Sequence, residues 1–271
     1  MSDTAPANRY THGHHESVLR SHRWRTAENS AAYVLPELRP GLDLLDIGCG
    51  PGNITLDLAA RVAPSRVTGI DAAPAAIDAA RAAAAERGGN DVEFDVADVY
   101  ALPFDDDSFS VVHAHQVLQH LADPVAALRE MRRVCRADGV VAARDSDYAT
   151  MTWHPGNDGL DRWLELYHAI ARGNDGEPDA GRWLLQWARA AGFSDVRPSA
   201  SAWCFATPED RAWWGGLWAD RVTQSSLGDQ AVERGLATRA DLDAIAAAWH
   251  AWAGDDNAWF AVTHGEILCT P

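Results

Sequence analysis

Short apolar runs alternate with Ala-rich amphipathic stretches between residues 42 and 147. Five of these runs are typical of buried strands: LDLLDIG (42–48), RVTGID (66–71), VEFDVAD (92–98), FSVVHAH (109–115) and GVVAARD (139–145). Helical periodicity occupies stretches between them, such as 75–87 and 125–136. Strand and helix alternating at this pitch predict an α/β fold with a parallel sheet covered on both faces.

The flanking regions follow other patterns. Apolar residues at helical spacing predict a helix over 30–38, stopped by Pro40 and Gly41. Beyond 147 the patterns predict helices at 161–172, 179–191 and within 208–254, and strands at about 193–204 and 259–268. We therefore expect one structural domain, consisting of a helical cap (1–40), a ligand-binding core (41–147) and the rest of the sheet (148–271). Helical lid insertions are expected at about 150–180 and 208–254.

Composition narrows the function. The 271 residues carry 39 acidic and 23 basic side chains, a net charge of −16, and every basic one is an arginine. Without lysine the chain cannot form the Schiff base of a pyridoxal enzyme or the Gly-Lys-Ser/Thr turn of a Walker A site. Because an acidic chain repels a phosphate backbone, we expect a small-molecule substrate and no nucleic-acid partner.

Cysteine, histidine and hydropathy patterns add further expectations. The four cysteines lie far apart without metal-ligand spacing, which favours a reduced, cytoplasmic protein. The first 20 residues lack the apolar segment of a signal peptide, and no apolar stretch reaches 18 residues, so we expect no membrane partner. His12, His14 and His15 are accompanied by no Asp, Cys or further His partner at helical spacing, and we expect no metal.

A glycine-rich turn follows the first predicted strand, in LLDIGCGPGNIT (44–55). Gly48, Gly50 and Gly52 allow the backbone to approach a ligand closely because they carry no Cβ. The turn does not match a dinucleotide fingerprint, since Asn53 stands where the third glycine is required. It also contains no basic residue that could hold a phosphate.

Two aspartates end the next two strands. Asp71, 23 residues after Gly48, can accept both hydroxyls of a ribose, although a turn or helix-cap role is the alternative. Asp98 can accept a hydrogen bond from an adenine amino group while Ala97 and Val99 contact the ring. A glycine turn and two acids at the carboxyl ends of adjacent parallel strands predict a nucleoside site.

Four segments resemble successive motifs of class I S-adenosylmethionine-dependent methyltransferases. They are LLDIGCGPGNIT, VTGIDAAPAAIDAAR, FDVADVYALPFDDDSFSVVHAHQVLQHLADP and ALREMRRVCRADGVV, and they resemble most closely the ubiquinone/menaquinone-type small-molecule group. The resemblance implies a Rossmann-like sheet of seven strands in the order 3-2-1-4-5-7-6, with strand seven antiparallel. It also implies S-adenosyl-L-methionine as cofactor and S-adenosyl-L-homocysteine as product.

The resemblance further implies roles for individual residues. Gly48 and Gly50 would contact the methionine part of the cofactor, Asp71 the ribose, and Ala72, Ala97, Asp98 and Val99 the adenine, while His115 and Gln116 would lie near the sulfonium and the substrate. An N-terminal helix closing over the cofactor would bring Tyr10, His14, His22 and Arg25 to the site. Arg25 could pair with the methionine carboxylate, with Arg20 and Arg23 as competitors for that role.

Candidates for acid–base chemistry follow the fourth and fifth strands. In HAHQVLQH, His113 and His115 share one face of a strand, so at most one is expected to act in the site. His115, His120 and Tyr148 are the candidate catalytic residues, and Asp145 is a further one. Each could instead have a capping, turn or packing role.

The tryptophans indicate the kind of substrate. Eleven of the 12 follow residue 150, where Trp153, Trp214 and Trp218, together with Trp24, are candidate substrate contacts. Trp213 and Trp214 point about 100° apart on a helix, so at most one is expected to face the cleft.

The resemblance implies methyl transfer, and the tryptophans add the expectation that the acceptor is a carbon or oxygen of a small indole- or phenol-like metabolite of specialised metabolism. A quinone or polyprenyl precursor is the alternative substrate. From other classes, the alternatives are a non-catalytic cofactor-binding module and a nicotinamide oxidoreductase, which Asn53 and the lack of a Tyr-x-x-x-Lys motif disfavour. The chain could be a monomer or a homodimer.

Overall fold

The computed structural model describes residues 21–22, 24–88 and 91–271, and within them eight strands form one sheet. The strands are β1 (Leu44–Ile47), β2 (Val67–Asp71), β3 (Val92–Val96), β4 (Phe109–His115), β5 (Cys135–Ser146), β6 (Thr152–His154), β7 (Asp195–Phe205) and β8 (Trp259–Thr270). The helices are α1 (Ala27–Ser30), α2 (Asn53–Val62), α3 (Pro74–Arg87), α4 (Pro124–Val134), α5 (Asp158–Arg172), α6 (Leu184–Ala190), α7 (Pro208–Gln224), α8 (Ser226–Glu233) and α9 (Arg239–Ala253).

The sheet has the topology that the sequence predicts. Strands β3-β2-β1-β4-β5 are parallel neighbours in that order, and β8 pairs antiparallel with β5. Strand β7 pairs with β8, so β8 corresponds to strand seven of the predicted order and β7 to strand six, at the edge. The expected Rossmann-like α/β fold is therefore confirmed.

Strand β6 was not predicted. Its three residues pair with Trp259–Ala261 of β8, beyond the point where β5 leaves that edge. The segment lies in the region predicted as a helical insertion, and three residues are too few to show an alternating pattern.

The predicted helix over 30–38 is wrong. Helix α1 ends at Ser30, and only a 3₁₀ turn, Leu35–Glu37, follows it. Thr26 caps α1 reciprocally with Asn29, which starts the helix early, and Pro36 cannot donate the hydrogen bond that would continue a helix. Ala31 and Val34 are still fully buried, because this segment packs on the sheet beside Leu44 and Val111.

The helices after β5 enclose an aromatic core of their own. Trp163, Trp249, Trp252 and Phe260 are fully buried, and most of their rings meet edge to face at 5.0–6.3 Å. Such contacts each contribute about 0.5–1.5 kcal/mol beyond the area that they bury. This core supports α7 against the sheet, and α7 provides one wall of the cavity described next.

Candidate active site

A cavity of about 510 Å³ opens at the carboxyl ends of β1, β2 and β4. One end is formed by the glycine turn after β1, the residues after β2 and the Ala97–Val99 segment. The other end is formed by aromatic side chains of the helical insertions and of β7. Ligands of open α/β sheets bind at this edge, so the position agrees with the sequence-based expectation.

The glycine turn has a backbone that other residues rarely adopt. Gly48 and Gly50 have φ values of +64° and +54°, in the left-handed region. A Cβ at position 48 would collide with the Val117 side chain, whereas one at position 50 would only touch His22 Nδ1, at 3.6 Å. The turn therefore offers the cavity a surface of bare backbone.

Two carboxylates stand on the same side of the cavity. Asp71 accepts hydrogen bonds from the backbone N–H groups of Gly50 (3.1 Å) and Ala73 (2.9 Å), which hold it against the glycine turn. Asp98 accepts from the backbone N–H of Tyr100 (2.9 Å). Each carboxylate oxygen has two lone pairs, so both groups can still accept hydrogen bonds from a ligand.

Gln116 lies where β4 turns into the cavity, with a positive φ of +54°. Its backbone N–H donates to the Arg144 carbonyl (2.7 Å), and its side-chain oxygen accepts from Arg25. Its amide nitrogen lies 2.6 Å from Ser146 Oγ and 2.9 Å from His264 Nε2. These contacts hold a backbone conformation that is costly for a residue other than glycine.

The three histidines around β4 have different surroundings. His115 lines the cavity, and neither of its ring nitrogens has a hydrogen-bond partner among the described residues. Burial, with Arg25 and Arg144 nearby, holds the pKa of His115 well below its usual value, so the ring is neutral at pH 7. His113 does not line the cavity and instead places its Nδ1 2.7 Å from an Asp46 oxygen.

His120 and Tyr148 also line the cavity, and Asp145 does not. Burial lowers the pKa of His120 to about 3, and Gln119 Nε2 lies 3.0 Å from its Nε2. Tyr148 stacks on Tyr167 with ring centres 3.9 Å apart. Burial raises the pKa of Asp145 to about 7, and its Oδ1 accepts from the Gln119 N–H.

An aromatic wall faces the glycine turn. It consists of Trp24, Trp203, Trp213, Trp214 and Trp218. The expectation that at most one of Trp213 and Trp214 faces the cleft is wrong: both line it, because Phe205 stacks on Trp214 (4.3 Å) while Trp24 meets Trp213 (5.3 Å). The cavity therefore contacts two adjacent side chains of α7 that point in different directions.

Trp153 is a candidate substrate contact that lies elsewhere. It stacks on Phe260 at 5.5 Å, in the aromatic core, and does not line the cavity. Strand β6 causes this placement, because its pairing with β8 directs Trp153 onto that core.

Sequence reasoning missed several lining residues, among them Trp203, Met151, Ser146 and Arg221. A signal for Trp203 was present, since Trp203 and Phe205 alternate on one face of a strand and both are buried. Arg221 had no such signal: its guanidinium lies over the Trp218 ring (4.6 Å) and donates to Ser21 Oγ (3.0 Å).

The N-terminal candidates divide into two groups. His22 and Arg25 line the cavity. Tyr10 and His14, together with Arg20 and Arg23, lie outside the described residues. Within the part of the chain that the structure describes, no helix is long and apolar enough to cross a bilayer, and no group of three metal-ligating side chains converges.

Similarity to known proteins agrees with this geometry. A family model described as a methyltransferase domain matches residues 38–191, more than half of the chain. A Schizosaccharomyces pombe protein named as an uncharacterized methyltransferase is 33% identical over 270 residues, covering 96% of this chain and 95% of that protein. This chain belongs to the S-adenosylmethionine-dependent methyltransferases.

Solved structures share the fold of this methyltransferase. The YcgJ protein of Bacillus subtilis matches it with a TM-score of 0.58 at 21% identity, over 89% of this chain and 97% of that one. A phosphoethanolamine N-methyltransferase of Haemonchus contortus was solved with phosphomonomethylethanolamine and S-adenosylhomocysteine. It matches with a TM-score of 0.55 at 17% identity, over 88% of this chain and 51% of that one.

The residues at the cavity's glycine end fit S-adenosyl-L-methionine, the cofactor of this methyltransferase. Bare backbone at Gly48 and Gly50 leaves room for a close approach, and the carboxylates of Asp71 and Asp98 offer acceptors to hydroxyl and amino groups. The aromatic end is a separate space in which an acceptor molecule can lie.

Proposed function

We propose that this methyltransferase transfers a methyl group to an oxygen or ring carbon of a small aromatic metabolite. The observation that carries the proposal is the aromatic wall that faces the glycine turn across one cavity, with the neutral His115 among the lining residues. Indole rings bind planar apolar molecules through offset or edge contacts. A substrate from specialised metabolism suits such a wall.

Cofactor contacts follow from the glycine end of the cavity. Asp71 would accept the ribose hydroxyls, since its carboxylate already lies against the turn. Asp98 would accept the adenine amino group, with Ala97 and Val99 against the ring and Ala72 beside it. Gly48 and Gly50 would pass close to the methionine part.

Arg25 and Gln116 would hold the charged end of the methionine part. The Arg25 guanidinium already donates to Gln116, and both residues line the cavity beyond the glycine turn. A guanidinium is suited to a carboxylate because it can donate two parallel hydrogen bonds.

The cofactor supplies an activated methyl group, so the chain has to orient the acceptor and exclude water. The indoles of Trp203, Trp213 and Trp214 can hold a ring in one plane beside the glycine end. Orientation of this kind contributes about 7–11 kcal/mol to lowering a two-molecule barrier. The aromatic wall therefore provides a large share of the proposed rate enhancement.

His115 is the proposed general base. A phenol or enol must lose a proton to become a good nucleophile, and a neutral imidazole with partnerless nitrogens can accept that proton. His120 is less suited because its Nε2 already lies against Gln119. The Tyr148 ring, held against Tyr167, would contact the acceptor.

The cavity volume favours a small acceptor over a polyprenyl precursor. About 510 Å³ must hold the cofactor and the acceptor together. Pockets of about 300–1,000 Å³ accommodate one drug-sized ligand, so beside the cofactor there is space for one or two rings.

The test is methyl transfer from isotope-labelled S-adenosylmethionine to defined probes, detected by mass spectrometry. We expect the label on 4-nitrophenol, 1-naphthol or 5-hydroxyindole, and on none of the aliphatic amines of equal size. The Asp71→Asn variant should lose transfer, and Asp78→Asn, an exposed change on α3, should retain it. Transfer confined to amines or to polyprenyl quinols would contradict the proposal.

A further inference from the structure

Buried polar side chains cross one face of the sheet next to the cavity. Strand register places Asp46 beside His113, His115 beside Arg144, and Arg144 beside Glu266. Neighbours in register share a face of a sheet, so these side chains form a continuous row. We call Asp46, His113, His115, Arg144 and Glu266 the polar row.

Tyr33 belongs to the segment that covers this face. Its ring lies 6.3 Å from that of His113, and its hydroxyl group is fully buried. Arg144, Glu266 and Asp46 all influence the pKa of Tyr33, which burial holds well above its usual value. The hydroxyl group therefore stays protonated and can both donate and accept a hydrogen bond.

Several atoms of this face have no hydrogen-bond partner anywhere in the described chain. They are Tyr33 Oη, His113 Nε2, both ring nitrogens of His115, and Arg144 Nη1. Buried polar atoms in proteins are satisfied by protein groups or by ordered water, so ordered water is the partner that remains for this cluster.

A second cavity, of about 320 Å³, reaches the other end of the row. Arg144 and Glu266 line it, together with exposed residues such as Glu28 and Cys204, so it opens to solvent. Trp24 and Trp203 line both cavities and form the wall between them. The polar row thus joins the two cavities: Asp46 and His115 line the first, and Arg144 and Glu266 line the second.

A route for protons is needed if His115 is the base, and this step rests on the proposed function. When the acceptor's O–H bond breaks, its proton forms an N–H bond with His115, and the electron pair stays on the oxygen that takes the methyl group. Burial and the two nearby arginines disfavour the charged imidazole, so His115 releases the proton again readily. The proton must pass to water for the next turnover.

We propose that the polar row holds a chain of water molecules that carries this proton from His115 to the second cavity. Tyr33 and Arg144 are positioning residues for that water. Arg144 orients water without releasing a proton, since a guanidinium stays charged and its other nitrogens are held by Glu266 and Ser201. The Tyr33 hydroxyl group can pass a proton along by accepting one and donating another.

A crystal structure of the full chain with S-adenosylhomocysteine, at a resolution that shows single water molecules, tests the first half. We expect ordered water within hydrogen-bond distance of Tyr33 Oη, His113 Nε2 and Arg144 Nη1. A dry space at these atoms would overturn the proposal, whatever the substrate is.

Kinetics with the phenol that is methylated most efficiently test the second half. Tyr33→Phe should lower kcat by about tenfold at unchanged KM and increase the solvent deuterium effect. Ser65→Ala, which removes a hydroxyl group that donates to Asp43 at the amino end of β1, should change none of these. An unchanged kcat in Tyr33→Phe would refute proton transfer along the row.

The two proposals fail in different ways. Full activity of His115→Asn would refute the base in the proposed function while leaving the crystallographic water in place. Loss of activity in His115→Asn together with a dry polar row would refute only the water chain.

Discussion

The guanidinium of Arg25 donates a hydrogen bond to the side chain of Gln116, 91 residues away. This bond joins the segment before α1 to the turn after β4, and both residues line the same cavity. Because Gln116 also contacts Ser146 and His264, one amide connects three strands and the N-terminal segment at the proposed methionine end. Several expectations depend on this arrangement.

Gln116→Ala should weaken S-adenosylhomocysteine binding. The change removes the acceptor that orients Arg25, and a hydrogen bond to a charged group contributes about 1.5–3 kcal/mol. Isothermal titration calorimetry should therefore show an affinity at least tenfold lower. Gln186→Ala, on the exposed side of α6, is the control and should bind like the parent chain. Equal affinities for the two variants would show that Arg25 does not need Gln116.

Asp71→Asn should reduce cofactor binding by a similar margin without unfolding the chain. Gly50 and Ala73 donate to different oxygens of Asp71, so an amide with its single oxygen can still accept from only one of these N–H groups. Its NH₂ group cannot accept from ribose hydroxyls. Thermal shift with S-adenosylhomocysteine should show little stabilisation, while the Tm of the ligand-free variant falls by only a few degrees, as the loss of one hydrogen bond predicts. Retained stabilisation by the ligand would argue against a ribose contact.

Trp213→Leu should impair acceptor binding and leave the affinity for the cofactor unchanged. The half-buried indole lies on the aromatic wall beside Trp24, away from the glycine turn. Losing an aromatic contact costs about 0.5–1.5 kcal/mol, so KM for a phenolic acceptor should rise about two- to tenfold. Steady-state kinetics provide the measurement, with the exposed Trp183→Leu as control. A lower affinity for S-adenosylhomocysteine in Trp213→Leu would place this residue at the cofactor instead.

His168 should make stability decrease as pH rises above neutrality. Burial opposes its charge, but hydrogen bonds to Asp179 (2.8 Å) and to the Leu164 carbonyl outweigh burial and raise the pKa of His168. A raised pKa means that protonation stabilises the folded chain: the gain is complete below about pH 6.5 and is lost as pH rises through the folded-state pKa. Asp179 acts in the opposite sense, since its lowered pKa contributes stability above about pH 3.8 that is lost in acid.

Unfolding followed by circular dichroism between pH 5.5 and 8.5 tests this expectation. His168→Asn should flatten the fall in Tm with rising pH, and His250→Asn, at the exposed end of α9, should leave it unchanged. Asp179 also accepts a hydrogen bond from the Ala149 N–H, and Ala149 lies between Tyr148 and Met151, which line the cavity. The His168–Asp179 pair therefore contacts a segment of the cavity wall. An identical pH dependence in both variants would remove His168 as its source.

Local sequence patterns were sufficient to predict the sheet core and the positions of the glycine turn and the two acids. The alternation of strands and helices, the glycine turn and the acids at positions 71 and 98 are properties of neighbouring residues, and each element's period of two or 3.6 shows in the chain itself. Right-handed crossovers between parallel strands then bring the ends of β1, β2 and β4 to one edge. The glycine end of the cavity, where we propose that the cofactor binds, was predictable for that reason.

Tertiary structure alone decided the acceptor end. Trp153 and Trp214 are both tryptophans of the inserted helical region, yet pairing of β6 with β8 directs one into a core while α7 presents the other to the cavity. Likewise, His113 and His115 alternate identically on β4, and only the long-range neighbours Asp46 and Arg25 distinguish their surroundings. Burial and charge at a position depend on residues distant in sequence, so no local pattern records them.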